Sequence, residues 1–414
     1  MKLGLIGHPL GHSWSPEIHA FMIHEAYQKW DLAEEEFVSF MQKRDFDGIN
    51  VTIPYKEKVI PYLDELDSSA KAVGAVNCIV NQNGRLKGYN TDALGFAQML
   101  AADHFEVKGK RTALLGTGGA SKAAEYALQQ MGARVQKVSR RQKPGCIDYE
   151  QLYQKEKEFQ CIVNATPVGM SPHMDECPID LTAFTKLETV IDIVANPLRT
   201  KLMFTAKMMG IPYIGGFEML VRQAFAADEL FTEKNLDPSL VKACMNALFQ
   251  KKRNLVLIGM PTSGKSTLAG VLSQMTHRRV IEMDDEIVQK IGMPIKDYFA
   301  LKGEPEFRRI EQSTAEDLQN EQGCIISCGG GIVVSQAAMQ MLSANGLIVW
   351  IQRDLDHLFA SDSRPLTGDE EYMKTLYQKR EPLYQKYSDV TVKNNTSLEE
   401  AAHQILRAAG EEEI

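Results

Sequence analysis

Short apolar runs alternate with amphipathic helical stretches along the whole chain. That alternation predicts α/β domains built on mostly parallel sheets. In a first block, "KLGLIG", "GINVTI" and "GAVNCIV" read as strands, and the block ends at a helix over "TDALGFAQMLAADH". A second block starts with the strand "RTALLG", runs through "ARVQKVS", "CIVNATP" and "TVIDIV", and closes with helices around "GFEMLVRQAFAADELF" and "DPSLVKACMNALFQ". The third block runs from Asn254 to the end. Only "QKKRN" separates the second from the third, so the spacing predicts a tight junction rather than a Gly/Ser/Pro-rich tether.

Length and composition narrow this picture. A chain of 414 residues has room for two or three domains. Its net charge of -8, from 46 basic and 54 acidic side chains, argues against a nucleic-acid surface. No apolar run approaches the roughly 18 residues of a membrane span, and "MKLGLIGHPLGHS" interrupts any signal-peptide core with glycines and histidines. Seven cysteines without a C-x-x-C suit reduced thiols, so the expected compartment is the cytoplasm. Cys324 and Cys328 read as buried strand cysteines rather than metal ligands.

"LLGTGGASKAA" places Gly116, Gly118 and Gly119 between an apolar strand and a helix beginning near Ala120. Glycines there let backbone N–H groups approach a pyrophosphate at a helix N-terminus. Where an NAD enzyme usually carries Asp or Glu, at the end of the next strand, this chain reads "KVSRRQK". Ser139, Arg140 and Arg141 offer a hydroxyl and two guanidinium forks to a 2′-phosphate, which predicts NADP; a solvated basic turn is the alternative.

The first block also gathers an unusual polar set: Ser13 and Ser15 in "GHSWSPEIH", Asn50, Thr52 and Lys56 in "NVTIPYKE", Asn77 in "GAVN", and Asn90, Thr91 and Asp92 in "GYNTDALGF". Hydroxyls, amides and one Lys/Asp pair at strand ends suit a small polyol carrying a carboxylate. These segments, with "NATPVGM", "NPLRTKL" and "GGFEMLVRQA", resemble shikimate dehydrogenase to about residue 250. The resemblance implies that Ser13 and Ser15 hold the substrate carboxylate, that Asn50, Thr52, Asn77 and Gln223 join Asp92 in binding substrate, and that Lys56 and Asp92 form the catalytic pair. It places Thr166, Gly216 and Met219 on the cofactor side. For Lys56 the plainer reading is a surface lysine opening a helix after Pro54. Ala195 before "NP" and Ala20 after His19 depart from the family pattern, as does a shorter stretch between Ser15 and Asn50.

In the third block, Gly259 to Ser266 fits G-x-x-x-x-G-K-[ST], a loop that cradles phosphates. Within it Ser263 and Gly264 line the turn, Lys265 is set to reach the β/γ-phosphates and Ser266 to bind Mg²⁺, and Thr267, the next residue, joins the nucleotide-binding set. The later segments "IEMDDEIVQK", "GEPEFRRIE", "ISCGGGIV", "SRPLT" and "KREPLYQKY" resemble shikimate kinase across residues 253 to about 410. The resemblance implies that Asp284 contacts the acceptor hydroxyl, Arg308 and Arg380 grip the carboxylate, Gly329 to Gly331 with Gly330 at their centre form the substrate-side loop, and Arg364 comes from a lid onto the nucleotide. A salt bridge to Glu311 is the plainer role for Arg308. Glu282 stands where the family usually has Asp near the metal, and the lid segment is short.

The expected architecture is therefore an N-terminal α/β substrate domain (1–102, with helices of about 216–250 packing back on it), a Rossmann-like NADP domain (103–252) and a P-loop NMP-kinase-like α/β domain (253–414). The expected function is NADPH-dependent reduction of 3-dehydroshikimate to shikimate, followed by ATP- and Mg²⁺-dependent phosphorylation to shikimate 3-phosphate. Partners are small molecules, with no nucleic acid and no membrane; the oligomeric state stays open. Two alternatives remain at this point, a quinate/shikimate dehydrogenase using NAD and a kinase-like module that binds without turnover.

Overall fold

The computed structural model describes residues 1–11, 13–354, 370–395 and 397–411. Arg364 lies outside the described residues. The chain divides into two compact units, Met1–Met245 and Asn246–Ile414.

The first unit holds two six-stranded sheets. One is built from β1 (Leu3–Gly7), β2 (Tyr27–Asp31), β3 (Gly48–Val51), β4 (Glu65–Leu66), β5 (Cys78–Gln82) and β6 (Arg85–Tyr89), in the order β2-β1-β3-β5-β6-β4. β1 and β3 are buried at every position, as central strands covered on both faces must be. β2, "YQKWD", is an edge strand whose side chains mostly face out, and its polar text does not read as a strand. β5 and β6 form an antiparallel hairpin around Asn83 and Gly84, at φ 54° and 87°. Two successive positive φ values are what a tight turn matched to strand twist requires, and Asn-Gly supplies them.

β7 (Arg111–Leu115), β8 (Arg134–Val138), β9 (Cys146–Ile147), β10 (Cys161–Asn164), β11 (Thr189–Asp192) and β12 (Tyr213–Gly215) form a second, wholly parallel sheet, ordered β12-β11-β10-β7-β8-β9. Alternate residues serve opposite faces: Leu114, Val163 and Ile191 pack in one cluster, Ala113, Ile162 and Val190 in the other. This is the doubly wound order, and its switch point lies between β7 and β10, where the glycine loop follows β7. Helix Phe217–Thr232 returns to pack on helices Asp92–Ala102 and Ser15–Ile23. Gly95 makes the first contact possible, since a Cβ there would meet Met219 O and Gln223 N at 2.9 Å.

The second unit is a five-stranded parallel sheet of β13 (Asn254–Ile258), β14 (Val280–Glu282), β15 (Ile325–Ser327), β16 (Gly346–Gln352) and β17 (Val390–Lys393), ordered β14-β15-β13-β16-β17. Leu255, Leu257, Val349 and Ile351 join Leu268 and Leu272 of helix Lys265–Thr276 and Ile405 and Leu406 of helix Leu398–Ala408 in one core. The division between units falls inside helix Ser239–Lys252, ahead of residue 253. Its last turn is fastened to the second unit: Arg278 donates to the carbonyls of Gln250 (2.5 Å) and Phe249 (3.3 Å) while paired with Glu411 at 2.9 Å, both side chains 5% exposed. Among the described residues no helix is long and apolar enough to cross a membrane.

Candidate active sites

In the first unit the polar set converges at the ends of β3, β5 and β6. Lys56 Nζ lies 2.6 Å from Asp92 Oδ2, with the side chains only 15% and 8% exposed. Asp92 is the first residue of helix Asp92–Ala102, so the helix dipole favours its negative charge. Asn77 Nδ2 donates to Asp92 Oδ1 (2.9 Å), Thr91 Oγ1 (2.9 Å) and Gln223 Oε1 (3.2 Å), while Asn77 Oδ1 accepts from Thr91 N–H. Asn77, Asp92 and Gln223 thus meet, although Gln223 is 146 positions from Asn77 in sequence. Asn50 turns its amide to Asn77 O (3.3 Å) and accepts from Tyr27 OH (2.7 Å). Thr52 follows β3 directly. Ser13 and Ser15 sit side by side, their hydroxyls 3.2 Å apart, at the start of helix Ser15–Ile23. Asn90 is spent on structure, bonding Ala75 O and Ala93 N–H.

Beneath this set, His19 Nδ1 and Asp228 Oδ1 pair at 2.6 Å, fully buried, and the His19 ring stacks on Tyr27 with centroids 4.0 Å apart. Tyr27 and Asp228 escaped the sequence reading because nothing local marks a residue that supports another from below.

The dinucleotide loop adjoins the Lys/Asp pair. Gly116, at φ 109°, leaves no room for a side chain: a Cβ would meet Ala165 O at 2.8 Å. Gly118 precedes helix Gly119–Gln130, in which Ala120 is the second residue, and Ser121 Oγ returns to Gly116 O at 2.7 Å. A Cβ on Gly119 would lie 3.0 Å from both Cβ and Cδ of Lys56, so the glycine lets the lysine stem pack on the loop. Ser139 is buried and accepts from Arg141 N–H at 3.2 Å, whereas Arg140 and Arg141 are exposed. Arg140 borders an open cleft with Tyr149, Val168 and Cys177. Lys143, unremarked in the sequence, places Nζ 2.8 Å from Thr117 Oγ1 of the glycine loop and adds a third cation to this edge.

Two further loops are held by a residue that the sequence did not single out. Asp192 accepts from Thr200 Oγ1 (2.6 Å), Asn164 Nδ2 (3.0 Å) and Val194 N–H (3.1 Å). Asn164 Oδ1 in turn accepts from Thr166 Oγ1 (2.7 Å) and Thr166 N–H (3.1 Å). Burial pushes the Asp192 carboxyl up to about 7 against those three bonds. Gly216 abuts Ile193, where a Cβ would fall 2.1 Å from the carbonyl oxygen. The Met219 side chain packs in the apolar cluster with Phe96, Met99 and Ile214.

In the second unit the loop after β13 runs Gly259 (φ 149°) to Gly264 (φ 88°) and into helix Lys265–Thr276. Lys265 Nζ donates to Gly259 O (3.0 Å) and Met260 O (2.8 Å). Ser263 is buried, while Ser266 and Thr267 are exposed on the first turn. Ser266 Oγ donates to Glu282 Oε2 at 3.0 Å. A hydroxyl and a carboxylate are the hard oxygen donors that Mg²⁺ takes beside substrate phosphates, so the longer Glu282 fits the place of the usual Asp.

Gly329, Gly330 and Gly331 are glycines for space. A Cβ on each would meet Asp284 Oδ1 at 2.8 Å, Pro261 Cδ at 2.7 Å and Arg308 Nη1 at 2.5 Å respectively. The loop therefore gathers Asp284, the nucleotide loop and Arg308 around one point. Gly330 O also accepts from Arg380 Nη1 (3.1 Å) and Tyr384 OH (2.6 Å), which ties the second arginine to the same loop. Arg308 donates to Glu311 (2.7 Å) and Glu304 (3.0 Å), so the salt bridge named above as the plainer role is present. Glu311 is buried, and burial lifts its carboxyl above the ordinary value although Arg308 opposes the shift. Among the described residues no cluster of His, Cys, Asp and Glu could by itself hold a metal ion.

By fold and site, the first unit is a dinucleotide-dependent α/β enzyme with a Lys/Asp pair, and the second is a P-loop phosphotransferase. Comparison with known proteins agrees. The family model for the shikimate dehydrogenase substrate binding domain matches residues 5–79, and that for shikimate kinase matches residues 261–409. The chain is 39% identical over 260 residues to shikimate dehydrogenase (NADP(+)) of Halothermothrix orenii, covering 56% of this chain and 90% of that relative. Among solved structures it is similar to shikimate dehydrogenase 1 of Peptoclostridium difficile (TM-score 0.57, 33% identity, 60% of this chain and 98% of that one). It is likewise similar to shikimate 5-dehydrogenase of Thermus thermophilus in complex with NADP(H) and shikimate (TM-score 0.54, 32% identity, 60% and 99%). The chain belongs to the shikimate dehydrogenase family and carries a shikimate kinase domain after it.

Proposed function

We infer that this chain is a bifunctional enzyme of the shikimate pathway, reducing 3-dehydroshikimate to shikimate with NADPH and then phosphorylating shikimate with ATP. The observation that carries the reading is the Lys56–Asp92 pair packed against Gly119, a proton donor at the edge of a dinucleotide loop. NADPH, when bound, supplies hydride to the carbonyl carbon. Lys56 gives its proton to the carbonyl oxygen as negative charge develops there, and Asp92 keeps the ammonium oriented. Ser13 and Ser15 hold the substrate carboxylate; Asn50, Thr52, Asn77 and Gln223 bind its ring oxygens. Gly116, Gly118, Gly119 and Ala120 would hold the cofactor together with Thr166, Gly216 and Met219, and Ser139, Arg140 and Arg141 would take its 2′-phosphate.

In the kinase half, Gly259, Ser263, Gly264, Lys265 and Thr267 cradle the polyphosphate; Ser266 and Glu282 would hold Mg²⁺, which would supply neutralisation of the phosphate charge. Asp284 accepts the proton of the attacking shikimate hydroxyl, the oxygen attacks the γ-phosphorus, and ADP leaves. Arg308 and Arg380 orient the carboxylate as paired forks, with Gly330 alongside. The Arg308–Glu311 bridge is compatible with that role, because Nε, Nη1 and Nη2 each give one N–H to Glu304 or Glu311, which leaves two of the five guanidinium N–H groups for a carboxylate. Arg364 is assigned to the nucleotide side on resemblance alone. All seven cysteines are free thiols, which accords with a cytoplasmic enzyme acting on small molecules.

NADPH oxidation with 3-dehydroshikimate and ADP release with shikimate, measured on the same preparation, test both halves. Equal use of NADH would make the first half a quinate/shikimate-type NAD enzyme, and nucleotide binding without ADP release would leave the second a binding module.

A further inference from the structure

The nucleotide loop contains a residue that its backbone does not suit. Met260, Pro261, Thr262 and Ser263 form a tight turn closed by Ser263 N–H to Met260 O at 3.2 Å. Pro261 presets φ at the second position, and the third position then takes a positive φ, a place ordinarily filled by Gly or Asn. Here it is Thr262, at φ 65°. A β-branched side chain crowds the backbone in that region. Gly259 and Gly264 also have positive φ, but without a side chain to strain.

Strain of this kind persists only where surrounding contacts over-determine it. A loop that turns its N–H groups inward toward phosphates turns carbonyls outward, and those carbonyls need donors. Two are met from the ends of neighbouring strands. Arg353, the residue after β16, donates from Nη1 to Thr262 O at 3.1 Å, and Asn394, the residue after β17, donates from Nδ2 to Ser263 O at 2.8 Å. β16 also backs the start of the loop, since a Cβ on Gly259 would fall 2.5 Å from Ile351 O. Arg353 Nε is buried without a hydrogen-bond partner, so its guanidinium is held in place at some desolvation cost.

We propose that Arg353 is a positioning residue of the kinase site: its guanidinium holds the Thr262 carbonyl and keeps the strained turn in its phosphate-binding shape, so that the loop meets the polyphosphate preorganised. The proposal deepens the ATP-dependent reading of this half and rests on it. Arg353 acts through Thr262 and not by contact with the reacting atoms. Its effect should therefore fall on nucleotide affinity, and it should depend on the side chain at position 262.

The test is steady-state kinetics of ATP-dependent shikimate phosphorylation in the full chain, for wild type, Arg353→Ala, Thr262→Gly and the double variant. Arg353→Ala should raise the KM for ATP by about five- to thirtyfold, the scale of one residue's left-handed strain, with a smaller change in kcat. In the Thr262→Gly background, where the turn no longer needs holding, the same substitution should change KM by less than about twofold. An equal rise in both backgrounds would show that Arg353 serves the nucleotide by its charge alone and would overturn the proposal, as would a fall in kcat with KM unchanged. Should Arg353→Ala fail to fold in this half, Arg353→Lys carries the same comparison, with a smaller rise that again vanishes beside Thr262→Gly. A wild-type chain that forms no ADP from ATP and shikimate would refute the kinase reading instead, before any variant is compared.

Discussion

Lys56 and Asp92 lie 36 positions apart yet form an ion pair at 2.6 Å, in a pocket that Asn77 and Gln223 complete from two other elements. A proton donor acts mainly in the transition state, so Lys56→Ala should lower kcat for NADPH oxidation by roughly 10²- to 10⁴-fold with little change in KM for 3-dehydroshikimate. A raised KM at unchanged kcat would make Lys56 a binding residue. Arg140 answers a different question. Arg140→Ala should raise the KM for NADPH by one to two orders of magnitude, about 1.5–3 kcal/mol for a charged hydrogen bond, and leave that for NADH nearly unchanged. Equal losses with both cofactors would assign the arginine to structure.

At the scale of elements, much of the scaffold is legible in the text because central parallel strands are continuous apolar runs: "LGLIG", "RTALL" and "NLVLI" are strands within a residue of where the pattern puts them. β2 and β6 are not legible that way. "YQKWD" faces mostly outward at an edge, and "RLKGY" mixes charge with a glycine, although the Asn83-Gly84 turn before it is a hairpin signal the apolar pattern overlooks. The glycine loops announce themselves, since close approach excludes other residues, whereas Asp192 and Tyr27 work from beneath and carry no local mark. Asp192 yields a pH prediction. With its folded-state value raised to about 7, the folded chain retains a proton that an unfolded Asp, near pH 4, gives up. Its contribution is fully present below about pH 4 and is lost as pH rises toward 7. The urea midpoint for loss of NADPH oxidation should therefore fall from pH 5 to pH 7.5 more steeply in wild type than in Asp192→Asn, and matching slopes would show that Asp192 is not protonated in the fold.

For the molecule as a whole, the junction is the informative feature. The text "QKKRN" suggests a boundary at 252/253, and just before it the carbonyls of Phe249 and Gln250 are bound by Arg278, itself paired with Glu411 in a buried site. A kinase fragment starting at residue 253 removes two of the three acceptors of Arg278 Nη2 and leaves only Glu411, so it should be less stable than one starting at 239 by about 1–3 kcal/mol in urea unfolding. Equal stability would show that the last turn of helix Ser239–Lys252 adds nothing to the kinase unit. Each unit has its own glycine loop, and in the proposed function one molecule joins the two reactions, since the hydroxyl made in the first is the one phosphorylated in the second. The most direct measurement supplies 3-dehydroshikimate with ATP and Mg²⁺ and follows shikimate 3-phosphate by mass spectrometry with and without NADPH. The phosphorylated product should form only when NADPH is present, Lys265→Ala should stop at shikimate, and Lys56→Ala should phosphorylate added shikimate but make almost none from 3-dehydroshikimate. A wild-type chain that consumes NADPH and accumulates shikimate beside unused ATP would contradict the account.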